Sequence, residues 1–433
     1  VTIPEKQSTP NKLHFKNEFK TSTRNTMKKR TSMAMLLCVA FTMPTSADDW
    51  TQFRGAGGSG SDGTKVSSLP NSFTETTNVT WKAELPAKGV SSPIVVKDRV
   101  IVTASSGATQ DRIFVLCYDG KSGKRLWKRE YWATGRGYCH PTSANAAPTP
   151  ASDGEFIYAF YSSNDLVCLD LDGNLKWFRG LTFDYPKAAN DVGMSSSPIV
   201  SDGVVICQVE NQGDSFVTGI DTATGKSLWR IDRKKDSNWA SPAIVAGKGK
   251  RPTTVLLTDR GSVMGVDIKS GKELWKIDGG ASSVSSTTVV GDTAYLAMDG
   301  TVALQFNDDS GKPNEAWKNS SLNSANASPV IHNGELFTLN ASGAVTCCDA
   351  QSGTIKWKAR TGRDRYWATP VASGGMLFTF DMGGSGRVLD LNDKGKTIHT
   401  YKFQDQSFLG TPAISNGAMY VRSNTHLIRI SEK

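Results

Sequence analysis

No apolar run in the chain is long enough to cross a bilayer. The stretch at residues 33–43 covers 11 residues, against the roughly 20 that a spanning helix needs. There is no Cys-x-x-Cys-His to attach a haem, and no histidine pair stands at zinc spacing. A Gly-x-Ser-x-Gly elbow and a phosphate-cradling glycine loop are both absent, which removes two common catalytic signatures. Asp170-Leu-Asp-Gly-Asn174 has the start of a calcium loop but lacks its distal acid. Long stretches of 3.6-residue apolar period, which a helical solenoid requires, do not occur. A clustered basic face is lacking too. The formal charge is +9, but residues 1–47 hold eight Lys/Arg and two acids, so only about three positive charges remain for the body of the chain. That balance argues against nucleic acid as a partner. The run Arg233-Lys234-Lys235 is followed by Asp236 and reads as a solvated loop.

What the chain does contain is glycine and tryptophan. Its 433 residues include 41 glycines and 11 tryptophans, with 38% apolar and 21% charged residues. Many short strands joined by tight turns suit that mixture. Ahead of them, residues 27–47 have the layout of a secretory signal. Lys28, Lys29 and Arg30 form a basic start, residues 33–43 an apolar centre, and Thr45-Ser46-Ala47 a small-residue cleavage site. Cys38 follows Leu37 rather than a small residue, so a cleaved product is expected in place of a lipoprotein. Residues 1–26 have no apolar period and are expected to precede the translation start. Residues 48–78 form an N-terminal extension. The expected location is periplasmic or secreted.

A unit of glycine turn plus tryptophan strand recurs from there on. It appears as Gly123-Lys-Arg-Leu-Trp127, Gly173-Asn-Leu-Lys-Trp177, Gly225-Lys-Ser-Leu-Trp229 and Gly271-Lys-Glu-Leu-Trp275. It returns with two extra residues between Gly311 and Trp317, then as Gly353-Thr-Ile-Lys-Trp357, and in worn form from Gly395 to Tyr401. Trp81 stands without its turn. A second marker, a small residue usually followed by Pro, alternates with the first. Its copies are Ser92-Pro93, Ala147-Pro148, Ser197-Pro198, Ser241-Pro242, Ser286-Thr287, Ser328-Pro329, Thr369-Pro370 and Thr411-Pro412, spaced 55, 50, 44, 45, 42, 41 and 42 residues. Each period holds four strand-length runs, such as 199–201, 204–209, 216–221 and 227–231. Four short strands per period of this length predict a propeller blade. The last period supplies only three strands, and the segment around Trp81 supplies the fourth. The expected fold is therefore all-β: an eight-bladed β-propeller over residues 79–431, built of four-stranded blades and closed by an N-terminal strand pairing with the C-terminal strands, which removes an open sheet edge. Trp81, Trp127, Trp177, Trp229, Trp275, Trp317 and Trp357 are expected to wedge each blade against the next. Asp119, Asp170, Asp221, Asp267, Asp349 and Asp390 are expected to accept backbone N–H bonds from the turns that follow them.

The unit Asp-x-x-x-Gly-x-x-x-Trp, clearest in Asp221-Thr-Ala-Thr-Gly-Lys-Ser-Leu-Trp229, resembles the pyrroloquinoline-quinone (PQQ) type propeller repeat. That repeat marks quinoprotein alcohol dehydrogenases and also non-enzymatic BamB-like propellers. Asp49-Trp50-Thr-Gln-Phe-Arg-Gly55, followed by Gly57-Gly58, resembles the mature start of secreted propellers common in planctomycetes. The resemblance spans about residues 49–431. It implies the fold, and it leaves the activity open, since the repeat builds blades and not chemistry.

Function is expected on the face that carries the long loops: residues 103–112, 129–145, 179–195, 209–215, 231–240 and 360–368. Trp239 and Trp367 each stand three residues before the start of an inner strand, near the channel mouth. Their rings could stack a planar ligand or a sugar, while Arg136, His140, Arg363 and Arg365 could meet carboxylates. The leading expectation is a non-enzymatic binding or scaffold propeller with a protein or glycan partner in the envelope. A PQQ-dependent dehydrogenase with calcium is the alternative and would need an acid such as Asp191, Asp236 or Asp364; a carbohydrate-binding propeller is the second. Quinoprotein alcohol dehydrogenases carry an adjacent-cysteine disulfide, which Cys347-Cys348 brings to mind. The repeat instead aligns Cys347 with Cys117, Cys168, Gly219 and Gly265, within a blade strand. Cys139 is the loop cysteine expected to be reactive or paired.

Overall fold

The computed structural model describes residues 49–63, 69–188, 192–362 and 365–432. The expected signal segment, residues 27–47, lies outside them. Eight antiparallel four-stranded sheets stand around a central channel. Blades 1 to 7 span residues 94–132, 151–180, 199–232, 243–278, 288–319, 330–360 and 371–402. Blade 8 takes three strands from residues 413–430 and its outermost strand, Val79–Glu84, from the other end of the chain. Trp81 pairs with Arg429 and Glu84 with His426 across that seam. In blade 3 the strands are Ile199–Ser201, Val204–Val209, Phe216–Asp221 and Ser227–Asp232.

Burial explains the composition of the strands. The second strand of blade 3 is buried at every residue, because each sheet is covered on both faces by its neighbours. The outermost strands are mostly exposed or half-buried. The apolar core accordingly divides into clusters between adjacent blades, such as that of blades 1 and 2 around Ile113, Val115, Ile157 and Val167. At the seam, blades 7, 8 and 1 share one cluster, joined by Trp50, Leu69 and Phe73 of the N-terminal extension.

The two repeat markers have distinct mechanical roles. The indole N–H of Trp81, Trp127, Trp177, Trp229, Trp275 and Trp317 donates to a carbonyl in the turn of the next blade, at 2.6–3.0 Å. The turn glycine is required there twice over. Gly225, for example, has φ +69°, and a Cβ on it would lie 2.7 Å from the Trp177 ring. The turn aspartates accept N–H bonds as expected, Asp221 from Thr224 and Asp267 from Ser270, both at 2.8 Å. The Thr224 hydroxyl and then its N–H hold the Asp221 carboxyl below the usual carboxylate range.

In the worn copy, His399 occupies the tryptophan position. Blade 8 offers no glycine turn to receive an indole, because its outermost strand arrives from the N-terminus. His399 instead bonds the backbone of Phe73 through Nε2, and Tyr401 packs against the Phe73 ring with centroids 4.5 Å apart.

The second marker closes the channel. The N–H of Ser92 donates to Thr149 Oγ1, Thr149 to Ser197, Ser197 to Ser241, and Ser241 to Ser286, at 2.9–3.0 Å. The series continues through Ser328, Thr369 and Thr411 and returns to Ser92 Oγ, at 2.8–3.1 Å. One hydroxyl residue per blade thus forms a closed collar. This corrects the expected marker in blade 2, which is Thr149-Pro150 and not Ala147-Pro148. Alanine has no side-chain acceptor and cannot join the ring.

Residues 49–63 thread the channel behind the collar. Trp50 bridges to Val95, Ser152 N–H donates to Thr51, Ile331 N–H to Ser59 and Ala372 N–H to Gly60, at 2.8–3.0 Å. The buried Arg54 pins the segment to blade 5. Its guanidinium donates to Thr287 O and Thr288 Oγ1 at 2.8 and 2.7 Å, and to Gly58 O at 2.6 Å. Among the described residues no carboxylate faces it, and burial lowers its pKa to about 9.

Candidate functional site

The open end of the channel is a chamber of about 440 Å³ on the long-loop face. Every blade contributes, through the loop that leads into its inner strand. Ser92, Thr149, Ser197, Ser241, Ser286, Ser328 and Thr369 of the collar surround the floor, and Phe53 of the threading segment lies in it. The walls carry Trp239, Trp367, His140, Met194, Val284, Asn326 and Leu409. The Arg54 guanidinium carbon sits 5.1 Å from the centre of the Phe53 ring. Residues 49–63 lie in the channel behind Phe53.

Trp239 is held by a buried polar cluster that the sequence hides. Its N–H donates to Ser283 O at 2.7 Å and its indole to Gly193 O at 3.0 Å. The preceding Asn238 donates to Glu210 Oε2 at 2.7 Å. Glu210 in turn accepts Arg233 Nε at 2.6 Å, and Arg233 reaches Asp259 at 3.0 Å. The Glu210 and Arg233 side chains are 2% and 3% exposed, so the Arg233 part of the basic run is no solvated loop. Burial raises the Glu210 carboxyl even with Arg233 against it. Such a pair adds little net stability but fixes geometry strongly, since separating it strands a charge.

The other expected residues divide. Trp367 is 45% exposed at the rim, between the buried Tyr366 and Ala368. His140 lies on the wall, where its Nδ1 bonds the Thr142 hydroxyl at 2.8 Å. Arg136 lies outside the lining, with its guanidinium 4.9 Å from the centre of the Tyr138 ring. Arg365 is exposed and also outside it. Arg363 falls outside the described residues, as do Asp191 and Asp364. Cys139 is buried behind the wall and accepts from Gln110 Nε2 at 3.2 Å.

Cys347 and Cys348 are both unpaired and buried inside blade 6. Adjacent strand residues point to opposite faces, and here Cys347 packs toward blade 7 while Cys348 packs toward blade 5. Cys347 lies opposite Trp357 in the register, just as Cys117, Cys168, Gly219 and Gly265 lie opposite Trp127, Trp177, Trp229 and Trp275. The indole needs a small neighbour there. A Cβ on Gly219 would lie 2.3 Å from the Trp229 ring.

Phe53 and the collar were not visible as site residues in the sequence. The collar's signal was present as the recurring Ser/Thr before Pro. Phe53 belongs to the Asp49–Gly55 motif, which carries the family resemblance but does not indicate a place in the channel.

The donor set bears on the quinone directly. PQQ is a tricarboxylate, and its calcium would need carboxylate oxygens. The described lining contains no Asp, Glu, Lys or Arg. Asp236, outside the lining, takes the N–H of Ser237 at 2.8 Å. Among the described residues, no three His, Cys, Asp or Glu side chains converge as a metal site. The described lining thus supplies neither a carboxylate for calcium nor a cation to meet the quinone's carboxylates. Among the described residues, no helix is long and apolar enough to cross a membrane.

A family model described as outer membrane protein assembly factor BamB matches residues 59–216 and 341–433. No match is found among curated proteins. Several solved structures share the fold. BamB from Moraxella catarrhalis superposes with a TM-score of 0.58 at 16% identity, covering 81% of this chain and 96% of its own. A europium-containing methanol dehydrogenase superposes with a TM-score of 0.65 at 12% identity, covering 87% and 89%. The quinohemoprotein alcohol dehydrogenase from Comamonas testosteroni gives 0.62 at 13%, covering 89% and 81%. At such identities the likeness concerns the fold.

Proposed function

The chain belongs to the PQQ-repeat β-propeller family described as outer membrane protein assembly factor BamB, and on that premise we propose that it is a non-enzymatic binding protein that captures its ligand in the chamber of its long-loop face. An assembly factor and two dehydrogenases share the fold, so the site must decide between them. The uncharged described lining carries this function. Acid–base or nucleophilic catalysis needs a titratable group aimed at the reacting atoms and a partner to tune it. Here His140 is the one such side chain on the described wall, while the collar oxygens are engaged in the ring. The layout of residues 27–47 supports export to the periplasm or beyond, where the partner would be a protein or a glycan.

The test is a titration of the full chain with PQQ and Ca²⁺. Quinone absorbance and dye-linked oxidation of alcohols and aldoses are followed together. Neither saturable quinone binding nor turnover is expected. Micromolar binding with turnover would overturn the binding role in favour of a quinoprotein dehydrogenase.

A further inference from the structure

We propose that the chamber binds the end of a neutral saccharide, with a pyranose ring on Phe53 inside the hydroxyl collar and Trp239 and Trp367 beside it. This rests on the binding role proposed above and names its ligand class.

The lining combines two chemistries. Phe53 supplies aromatic surface, and seven residues of the collar supply hydroxyls around the same chamber. Each collar oxygen already accepts one backbone N–H from the neighbouring blade. A serine or threonine hydroxyl also has a proton to give, and among the described residues these protons have no acceptor. A pyranose has the complementary layout, with apolar C–H faces and hydroxyl oxygens around its edge. Its face can stack on an aromatic ring while its edge accepts the collar protons.

Other ligand classes meet a cost that this lining does not offset. A phosphate, carboxylate or ammonium group would shed its hydration with no opposite charge on the described walls. A purely apolar ligand would strip water from the collar and leave its donors unpaired, at a penalty for each. A neutral polyol exchanges water hydrogen bonds for collar hydrogen bonds and buries its C–H face as well. The volume, about 440 Å³, lies within the usual range for small-ligand sites. Residues 49–63 lie in the channel behind Phe53. A glycan would therefore enter by an end, from the face that carries Trp367.

The experiment uses the full chain on an array of neutral linear oligosaccharides of glucose, mannose, xylose and galactose. Uronate and sulfated counterparts of the same length stand beside them. Hits are measured by titration calorimetry and tryptophan emission. At least one neutral series should bind saturably and perturb the emission, with charged counterparts about tenfold weaker or more. Trp239→Ala and Trp367→Ala should each weaken binding about tenfold, and Trp239→Phe by less. Thermal unfolding of each variant checks the fold, and the exposed Trp367 gives a test that does not depend on the packing of Trp239.

The proposal falls if no neutral saccharide binds. It falls equally if the charged counterparts bind as tightly, or if the double variant Trp239→Ala/Trp367→Ala binds unchanged. If a peptide library perturbs the tryptophans and no sugar does, the ligand class is wrong and the binding role stands. Turnover with quinone and calcium would remove both.

Discussion

Ser286→Ala tests whether the collar holds the ring closed. Ser286 Oγ accepts the N–H of Ser241 at 2.9 Å, and the Ser286 N–H goes to Ser328 Oγ at 3.0 Å. The substitution removes the first bond and keeps the second, so it opens the ring at one point. Ser286 is 2% exposed. The stranded Ser241 N–H would cost about 1–3 kcal/mol if nothing replaced its acceptor. Ser286 also lines the chamber, where water can enter, which favours the lower end of that range. Ser286→Thr restores an oxygen at the same distance from the backbone and should cost far less. Thr149, Thr369 and Thr411 already serve this role in other blades. Urea midpoints of the three proteins, read by near-ultraviolet circular dichroism, provide the measurement. A fall for Ala with recovery for Thr is expected. Equal loss in both variants, or no loss in either, would refute a hydrogen-bonded collar as the element that joins the inner strands.

Three further outcomes are expected. Gly219→Ala places a methyl group in the space of the Trp229 ring and should cost about 1–3 kcal/mol by overpacking, whereas Cys347→Ala opposite Trp357 should cost less; urea midpoints decide. Glu210→Gln removes the charge that faces the buried Arg233. Asp259 remains as a second partner, so the loss should reach at most about 3 kcal/mol, and acrylamide quenching should show the loop of Trp239 loosened. Asp62 lies in the threading segment, where its carboxyl accepts the Ser373 hydroxyl and burial pushes its pKa up to about 6. Its free value is about 3.9. The folded state therefore holds the proton longer, and the segment's attachment weakens as pH rises from about 4 to about 6, then levels off. Hydrogen exchange of residues 59–62 at pH 4.5 and 7.5 should show that weakening, and Asp62→Asn should abolish it.

Most of the architecture was legible because each blade announces itself locally. The glycine turn, the tryptophan and the small residue before Pro are short-range signals, and they repeat. Strands such as 199–201 and 204–209 follow from them directly. What stayed hidden depends on contacts distant in sequence. Arg233 looked solvated because its acids, Glu210 and Asp259, are 23 and 26 residues away in the chain. Ala147 and Thr149 both precede Pro, and only the ring shows which of them must carry a hydroxyl. His399 looked like decay of the repeat, yet it matches a seam where no indole can dock. Of the candidate residues, Trp239, Trp367 and His140 meet at one chamber, since position in the repeat indicates which end of a blade a loop occupies. Arg136 and Arg365 lie on the same loops but outside the lining, and the Arg136 guanidinium lies against the Tyr138 ring instead.

The seam also sets a schedule for making the protein. The strand Val79–Glu84 pairs with His426–Ile430, almost 350 residues later in the chain. A ribosome therefore finishes one strand of that sheet long before the other three exist, and the strand must wait unpaired through the synthesis of seven blades. No partial chain can close the circle. Contacts of such long range make folding slow and leave incomplete chains with exposed edges. A loss of the residues after Leu427 would therefore remove most of the pairing that holds Val79–Glu84 in place, while a comparable loss in a surface loop would leave that seam intact.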